Sequence, residues 1–213
     1  MKNYIYPIFC LLFFSCGQTQ NNQDQARQTD AVIRADTAIA ASNPMSVPAI
    51  KEAYTSITNK LQSGLLDSVS YAYDCNGERS GTVTYFSDKG KLAVIKHNYS
   101  EYSHFSAVKQ YFVARDSLFF LQSKEVVWSF ESGQAVEGAT KDDITEKRFY
   151  IAKDKALLCL EKKYSKRSKS DDGSDPNKIA NKEVECKSIE SAIKDYGKLL
   201  AFKESANRDC LGK

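Results

Sequence analysis

The chain has 213 residues, of which 30 are basic and 27 acidic, and its formal net charge is +3. Because basic and acidic residues are mixed along most of the chain, there is no strongly basic region that would indicate nucleic acid as a partner. This length is enough for one substantial domain with its own core, and the 12 tyrosines and 11 phenylalanines favour a half-buried β-sheet.

The first fifteen residues have the pattern of a secretory signal peptide. Lys2 supplies a short positive region, and an apolar stretch follows from Tyr4 to Phe14. That stretch is too short to cross a bilayer as a helix, which takes roughly 20 apolar residues. Ser15 then precedes Cys16, and the chain becomes hydrophilic directly afterwards.

This junction resembles the lipobox of bacterial lipoproteins, with Phe13 and Phe14 at the two places where leucine and a smaller residue are usual. The resemblance implies that cleavage frees Cys16, which carries a thioether-linked diacylglycerol and usually an N-acyl chain. Gly17, in place of the aspartate of the family's retention rule, favours the outer membrane, with the domain on its periplasmic face. An ordinary secretory peptide and an uncleaved anchor are the two alternatives.

A polar tether is expected after the anchor, over residues 16–45. It is rich in Gln, Asn, Asp, Ala and Thr and has few large apolar side chains. Such a composition cannot bury enough surface to offset the entropy of ordering, so this segment is predicted to be disordered. The single folded domain is then expected over residues 46–213.

A helix is predicted to open that domain, over residues 46–64. Ser46 or Val47 can cap it, Pro48 suits its first turn, and Gly64 can end it. Apolar residues recur at steps of three and four along one side: Ile50, Ala53, Tyr54, Ile57 and Leu61.

Between residues 67 and 164 the apolar pattern alternates, which is typical of β-strands. Turn-forming residues interrupt it at four places: Asn76-Gly77, Asp88-Lys89-Gly90, Arg115-Asp116 and Lys153-Asp154. The sequence therefore predicts a meander of about seven to eight antiparallel strands, in which the fifth and sixth could be one bent strand.

Three segments in this region echo one another: Tyr85–Leu92, Tyr111–Leu118 and Phe149–Ala156. Each has two adjacent aromatic residues, a charged turn and the start of an apolar strand. The first copy also resembles the short hairpin repeats of MORN-type proteins, and that resemblance implies a scaffolding role. The simpler interpretation is one hairpin design used three times.

Several strands carry apolar residues on both faces, as at Tyr111-Phe112 and Phe119-Phe120. Either the sheet curls strongly around its own core, or terminal helices cover its second face. A closing helix is predicted over residues 188–204, after a charged loop over residues 165–185.

The four remaining cysteines are candidates for disulfides: Cys75, Cys159, Cys186 and Cys210. Three pairings are open, and buried free thiols are the alternative. No two of these cysteines lie within a few residues of each other, and the chain has two histidines, so neither a metal site nor a cofactor is expected.

Catalysis has little support, because no nucleophile elbow, zinc motif or phosphate loop accompanies His97 and His104. The prediction is an α+β domain, with one N-terminal and one C-terminal helix packed on the sheet. The protein is expected to be a non-catalytic envelope lipoprotein with a binding or assembly role. Its anchor would hold it to the membrane, and its expected partner is an envelope protein. The alternatives are a carrier of an apolar or lipid ligand in a curved sheet, and a hydrolase of unknown specificity.

Overall fold

The computed structural model describes residues 43–131, 137–169 and 175–211, which belong to one compact unit. The predicted signal peptide, Cys16 and the tether up to residue 42 lie outside the described residues. Residues 170–174 of the predicted charged loop lie outside them as well. None of the described helices is long and apolar enough to span a membrane.

Two helices of sixteen residues flank the sheet in sequence, α1 (Val47–Gln62) and α2 (Ile189–Glu204). The hydroxyl of Ser46 caps α1 by accepting a hydrogen bond from the Ala49 amide at 3.4 Å, and Pro48 occupies the first turn. Ser188 precedes α2 as its N-cap residue. Both predicted helices are confirmed, with ends shifted by one or two residues.

A single antiparallel sheet contains eight strands in chain order. They are β1 (Asp67–Asp74), β2 (Arg79–Asp88), β3 (Lys91–Glu101), β4 (Phe105–Ala114), β5 (Ser117–Phe130), β6 (Thr140–Ala152), β7 (Lys155–Arg167) and β8 (Lys182–Glu183). The predicted meander and the α+β class are confirmed.

The segment 117–130 is one continuous strand of 14 residues, so the alternative in which the fifth and sixth predicted strands are one is confirmed. Other boundaries differ from the prediction, since β7 continues to Arg167. The segment predicted as a charged loop contains β8 and a short 3-10 turn at Pro176–Lys178.

The three echoing segments form three equivalent hairpins. The two-residue turns at Lys89-Gly90, Arg115-Asp116 and Lys153-Asp154 all have positive φ, as type I′ hairpins require. In each hairpin the strand register also shifts directly after the second aromatic residue, at Phe86, Phe112 and Tyr150. The repeated sequence therefore encodes a repeated bulge and turn.

Each aromatic pair supplies both faces of the sheet. The first members lie in the core with α2, in a row that crosses six strands in register: Tyr85, Ile95, Tyr111, Leu121, Phe149 and Cys159. The second members lie in the core with α1, which also contains Ile50 and Ala53. The helices thus cover opposite faces, which are called the α1 face and the α2 face below.

Two disulfides join the strands to the segments on either side of α2. Cys159 of β7 is bonded to Cys186, which precedes the helix, and Cys75 is bonded to Cys210, which follows it. Cross-links at both ends therefore hold α2 against the sheet.

Candidate functional site

Helix α1 covers only the part of the sheet's α1 face that lies near the three repeated turns. Ile50 and Ala53 pack there with Phe112 and Tyr150, and Lys60 pairs with Asp88 at 3.1 Å beside the β2–β3 turn. The hydroxyl of Tyr54 donates to the Gln122 side chain at 3.3 Å. Gln122 is in register with Thr84, Lys96 and Gln110 of the neighbouring strands, and these residues form one row across the sheet. Within the described ranges, no helix covers the α1 face of strands β2–β4 beyond this row.

The uncovered surface is called the open half. It consists of six side chains, from β2, β3 and β4: Ser80, Thr82, Asn98, Ser100, Ser106 and Val108. Register places Thr82 beside Asn98 and Ser100 beside Ser106, so hydroxyl and amide groups of three strands lie next to one another. Together with Tyr73, Gly81, Tyr99 and Ala107, they line a shallow cavity of about 460 Å³. This surface can exchange hydrogen bonds with a partner, whereas Val108 is its only large apolar side chain.

An aromatic cluster adjoins the open half where β5 runs past the end of β4. This aromatic end comprises Tyr102 and His104 of the β3–β4 connection and Trp128 and Phe130 of β5. By strand alternation, Trp128 and Phe130 lie on the α1 face, as Val126 does opposite Ser106. The exposed fraction is 76% for Tyr102 and 68% for Phe130.

Local hydrogen bonds hold Trp128 in place. Its indole N–H donates to the carbonyl of Ser103 at 2.6 Å, and its amide donates to the carbonyl of His104 at 3.0 Å. The His104 ring lies against the indole with ring centroids 4.2 Å apart. The aromatic end therefore combines one fixed ring with two exposed rings, an arrangement suited to contact with another molecule.

On β6 and β7 a nearly buried ion pair occupies the α1 face. Lys162 lies 3.1 Å from Glu146, and the hydroxyl of Tyr164 donates to the same carboxylate at 2.7 Å. Burial alone would raise the pKa of Glu146, but the hydrogen bonds from Tyr164 and Lys162 outweigh burial and lower it. Lys162 also donates to the carbonyl of Pro176 at 3.1 Å, so its ammonium group is already engaged.

On the α2 face, polar groups are enclosed in the core. His97 shares a hydrogen bond of 2.8 Å with the hydroxyl of Tyr73 and stacks on Tyr99. Burial, together with the charges of Arg79 and Lys109, lowers the pKa of His97 to about 3. This histidine is therefore neutral at physiological pH and acts as a packed, hydrogen-bonded core residue.

Gly81 makes room for this arrangement. A Cβ atom at position 81 would lie 2.9 Å from the Tyr73 hydroxyl oxygen and 2.8 Å from Cβ of Tyr99. Such distances are shorter than real Cβ contacts allow, so a larger residue would displace the tyrosines that surround His97.

The two histidines do not form a common site. His97 is buried on the α2 face, whereas His104 is exposed and contacts the Trp128 carbonyl at 3.1 Å. Among the residues that the structure describes, no three His, Cys, Asp or Glu side chains are grouped so that they could hold a metal ion. The hydrolase hypothesis stays a prediction, and Cys16 lies outside the described residues.

The apolar-carrier hypothesis also stays a prediction. Besides the shallow cavity of the open half, a cavity of about 350 Å³ lies beside the end of α2, where Phe202 and Leu211 alternate with Lys198, Asn207 and Asp209. Its lining mixes apolar and charged groups.

The open half and the aromatic end were not identified as a site from the sequence. The available signal was the shared face of Val126, Trp128 and Phe130, which continues past the last residues that α1 can cover. A second signal was the short polar residues at alternate positions of β2 and β3, such as Thr82 and Asn98.

No family model matches the chain, and neither the curated proteins nor the solved structures give a significant match. The function of this chain is therefore inferred from its own residues.

Proposed function

We propose that this protein is a lipid-anchored, non-catalytic binding module of the bacterial cell envelope, which docks an envelope protein on its open half and aromatic end. The observation that carries the proposal is a pair of highly exposed rings: Phe130, whose ring centroid lies 5.3 Å from that of the fixed Trp128, and Tyr102, two residues before the His104 that contacts Trp128. Large rings in such positions are costly to leave in water and contribute most when a partner covers them.

Protein interfaces support this choice of partner. Their binding energy is concentrated in a few residues, among which Trp and Tyr are enriched, and polar groups surround these residues. The aromatic end supplies the rings, and the open half supplies hydroxyl and amide groups that can bond a protein surface. A purely apolar ligand would leave those polar groups without partners, which costs free energy.

The anchor follows from the lipobox resemblance at Cys16. One acyl chain binds a membrane only marginally, whereas the two or three chains that the resemblance implies hold a protein stably. Disorder is predicted for the tether from its composition, and a disordered chain of about thirty residues spans roughly 30 Å on average, from 5–6 Å times the square root of the residue number. That reach is enough for the domain to meet a neighbouring envelope protein.

Photocrosslinking in the cells that make the protein tests the proposal. A photoreactive amino acid at Ser106, in the open half, should give an adduct of discrete mass with one envelope protein. The Tyr102→Ala/Phe130→Ala double variant should reduce that adduct at least tenfold, because loss of a hot spot costs about 2 kcal/mol or more. The Cys16→Ser variant should leave the membrane fraction and lose the adduct.

Two controls define the outcome. The Leu65→Ala/Leu157→Ala variant removes two other exposed apolar side chains and should leave the adduct unchanged. A photoreactive group at Glu190, on the exposed side of α2, should not give the same adduct. Equal yields from Ser106 and Glu190, or an adduct insensitive to the aromatic double variant, would contradict the proposal.

A further inference from the structure

In the part of the chain that the structure describes, one edge of the sheet is open. Strand β1 pairs there with β2 alone, and seven of its eight residues are exposed or half-buried. At its end, the Asp74 amide donates to the carbonyl of Asp209 at 2.8 Å, so the C-terminal segment occupies the edge there. Along the rest of the strand, residues 67–73, no backbone from the described part of the chain pairs with the outer side.

Two hydrogen bonds fix which backbone groups point outward. In the β1–β2 hairpin, the Cys75 amide donates to the carbonyl of Arg79. The odd-numbered residues of β1 therefore direct their backbone N–H and C=O groups toward β2. The outward bond of Asp74 agrees with this alternation. Ser68, Ser70 and Ala72 therefore present their N–H and C=O groups at the free edge, and all three are exposed.

The opposite edge is protected. On β7, the Val184 amide donates to the Cys159 carbonyl, strand β8 pairs with the next two residues, and a disulfide joins Cys159 to Cys186. Beyond that cover, β7 carries exposed basic side chains at positions 163, 166 and 167. Such features prevent unwanted strand pairing. Strand β1 has no lysine, arginine or proline and no register shift.

We propose that β1 pairs antiparallel with β1 of a second copy of this chain, about a two-fold axis at Ser70. The free stretch from residue 67 to residue 73 is centred on residue 70, so this register uses all of it. Ser70 then faces Ser70 of the second copy, and Ser68 faces Ala72. In each copy, Ser68, Ser70 and Ala72 direct one N–H and one C=O group outward, and all of these groups then form hydrogen bonds across the interface. Each face of the sheet continues across the interface.

The side chains are compatible with this register. Val69, which is 41% exposed, lies opposite Tyr71 of the second copy, and pairs of a β-branched and an aromatic residue stabilise antiparallel sheets. Asp67 lies opposite Tyr73, so no like charges face each other directly. The pairing extends the sheet in its own plane and leaves the open half free, so it is independent of the proposed binding function.

Cross-linking of the full-length protein, solubilised in detergent, tests the register. Paired residues have Cα atoms about 5.5 Å apart, within the range of a disulfide. Ser70→Cys should therefore form a disulfide-linked dimer under mild oxidation. Ser68→Cys alone should not, because its two copies lie roughly 14 Å apart along the strands. A mixture of Ser68→Cys and Ala72→Cys, with different tags, should give the mixed dimer. The wild type measures any background from Cys16.

Light scattering tests the association itself. The wild type should be a dimer, and Ser70→Pro should be monomeric with an unchanged circular dichroism spectrum, because the amide it removes points outward. Val69→Lys should also dissociate the dimer, whereas Leu157→Lys, at a side chain 45% exposed, should not. A monomeric wild type, a dimer that survives Ser70→Pro, or a Ser70→Cys adduct with a different protein would overturn the inference.

Discussion

The two faces of the sheet differ in how much of them is committed to the fold. On the α2 face the core runs without a break from Tyr73 to Cys159, and two disulfides secure the covering helix. On the α1 face the core under α1 ends at the row of Gln122, and beyond that row strands β2–β4 carry mostly short polar side chains. The α2 face therefore holds the larger buried cluster and both disulfides, whereas the open half is left available for binding.

The disulfides should give the largest effect. In the loop-entropy account, a cross-link closing 135 residues stabilises more than one closing 27, by about 1.4 kcal/mol, and each contributes about 3–5 kcal/mol. The Cys75→Ala/Cys210→Ala variant should therefore lose more free energy of unfolding in urea than Cys159→Ala/Cys186→Ala. A loss below 1 kcal/mol in both variants would show that the disulfides do not hold α2.

Matched valine substitutions compare the faces directly. Val83 on the α2 face is 0% exposed, whereas Val108 in the open half is 38% exposed. Val83→Ala should lower the free energy of unfolding by about 2–3 kcal/mol, from two lost methyl groups and the cavity they leave. Val108→Ala should change it by less than about 0.5 kcal/mol. Urea denaturation measures both, and equal losses would remove the distinction between the faces.

The buried histidine predicts a pH dependence that belongs to the α2 face. The pKa of His97 is about 3 in the folded protein, against an ordinary value of 6.5. Between these two pH values, His97 is protonated in the unfolded chain but neutral in the folded chain. Stability should fall as the pH decreases from 6.5 toward 3, by up to about 1.4 kcal/mol per pH unit.

Urea unfolding of the wild type and of His97→Gln between pH 7 and pH 5 isolates this contribution, since most carboxylates do not titrate there. The variant should lose most of the slope. An identical slope in both proteins would mean that His97 is protonated in the fold.

Much of the fold could be predicted because local chemistry determines it. The glycine of Lys89-Gly90 favours a tight hairpin turn on local grounds, and the spacing of Ile50, Ala53 and Ile57 specifies one helical face. The disulfide pairing could not be predicted, because Cys75 and Cys210 are 135 residues apart and meet only through the path of the last segment. The aromatic end could not be predicted either, since His104 and Trp128 come together through the register of β4 and β5.

By itself, the sequence determined the order of elements, the three repeated hairpins and the need to cover both faces of the sheet. The adjacent aromatic residues of each hairpin made that need visible, because neighbouring residues of a strand point to opposite sides. Only the tertiary structure decided that each helix takes one face, that α1 stops short of the open half and that no described strand pairs with the outer side of residues 67–73. Those outcomes depend on strand register and on where the chain crosses the sheet, which are properties of distant residues packed together.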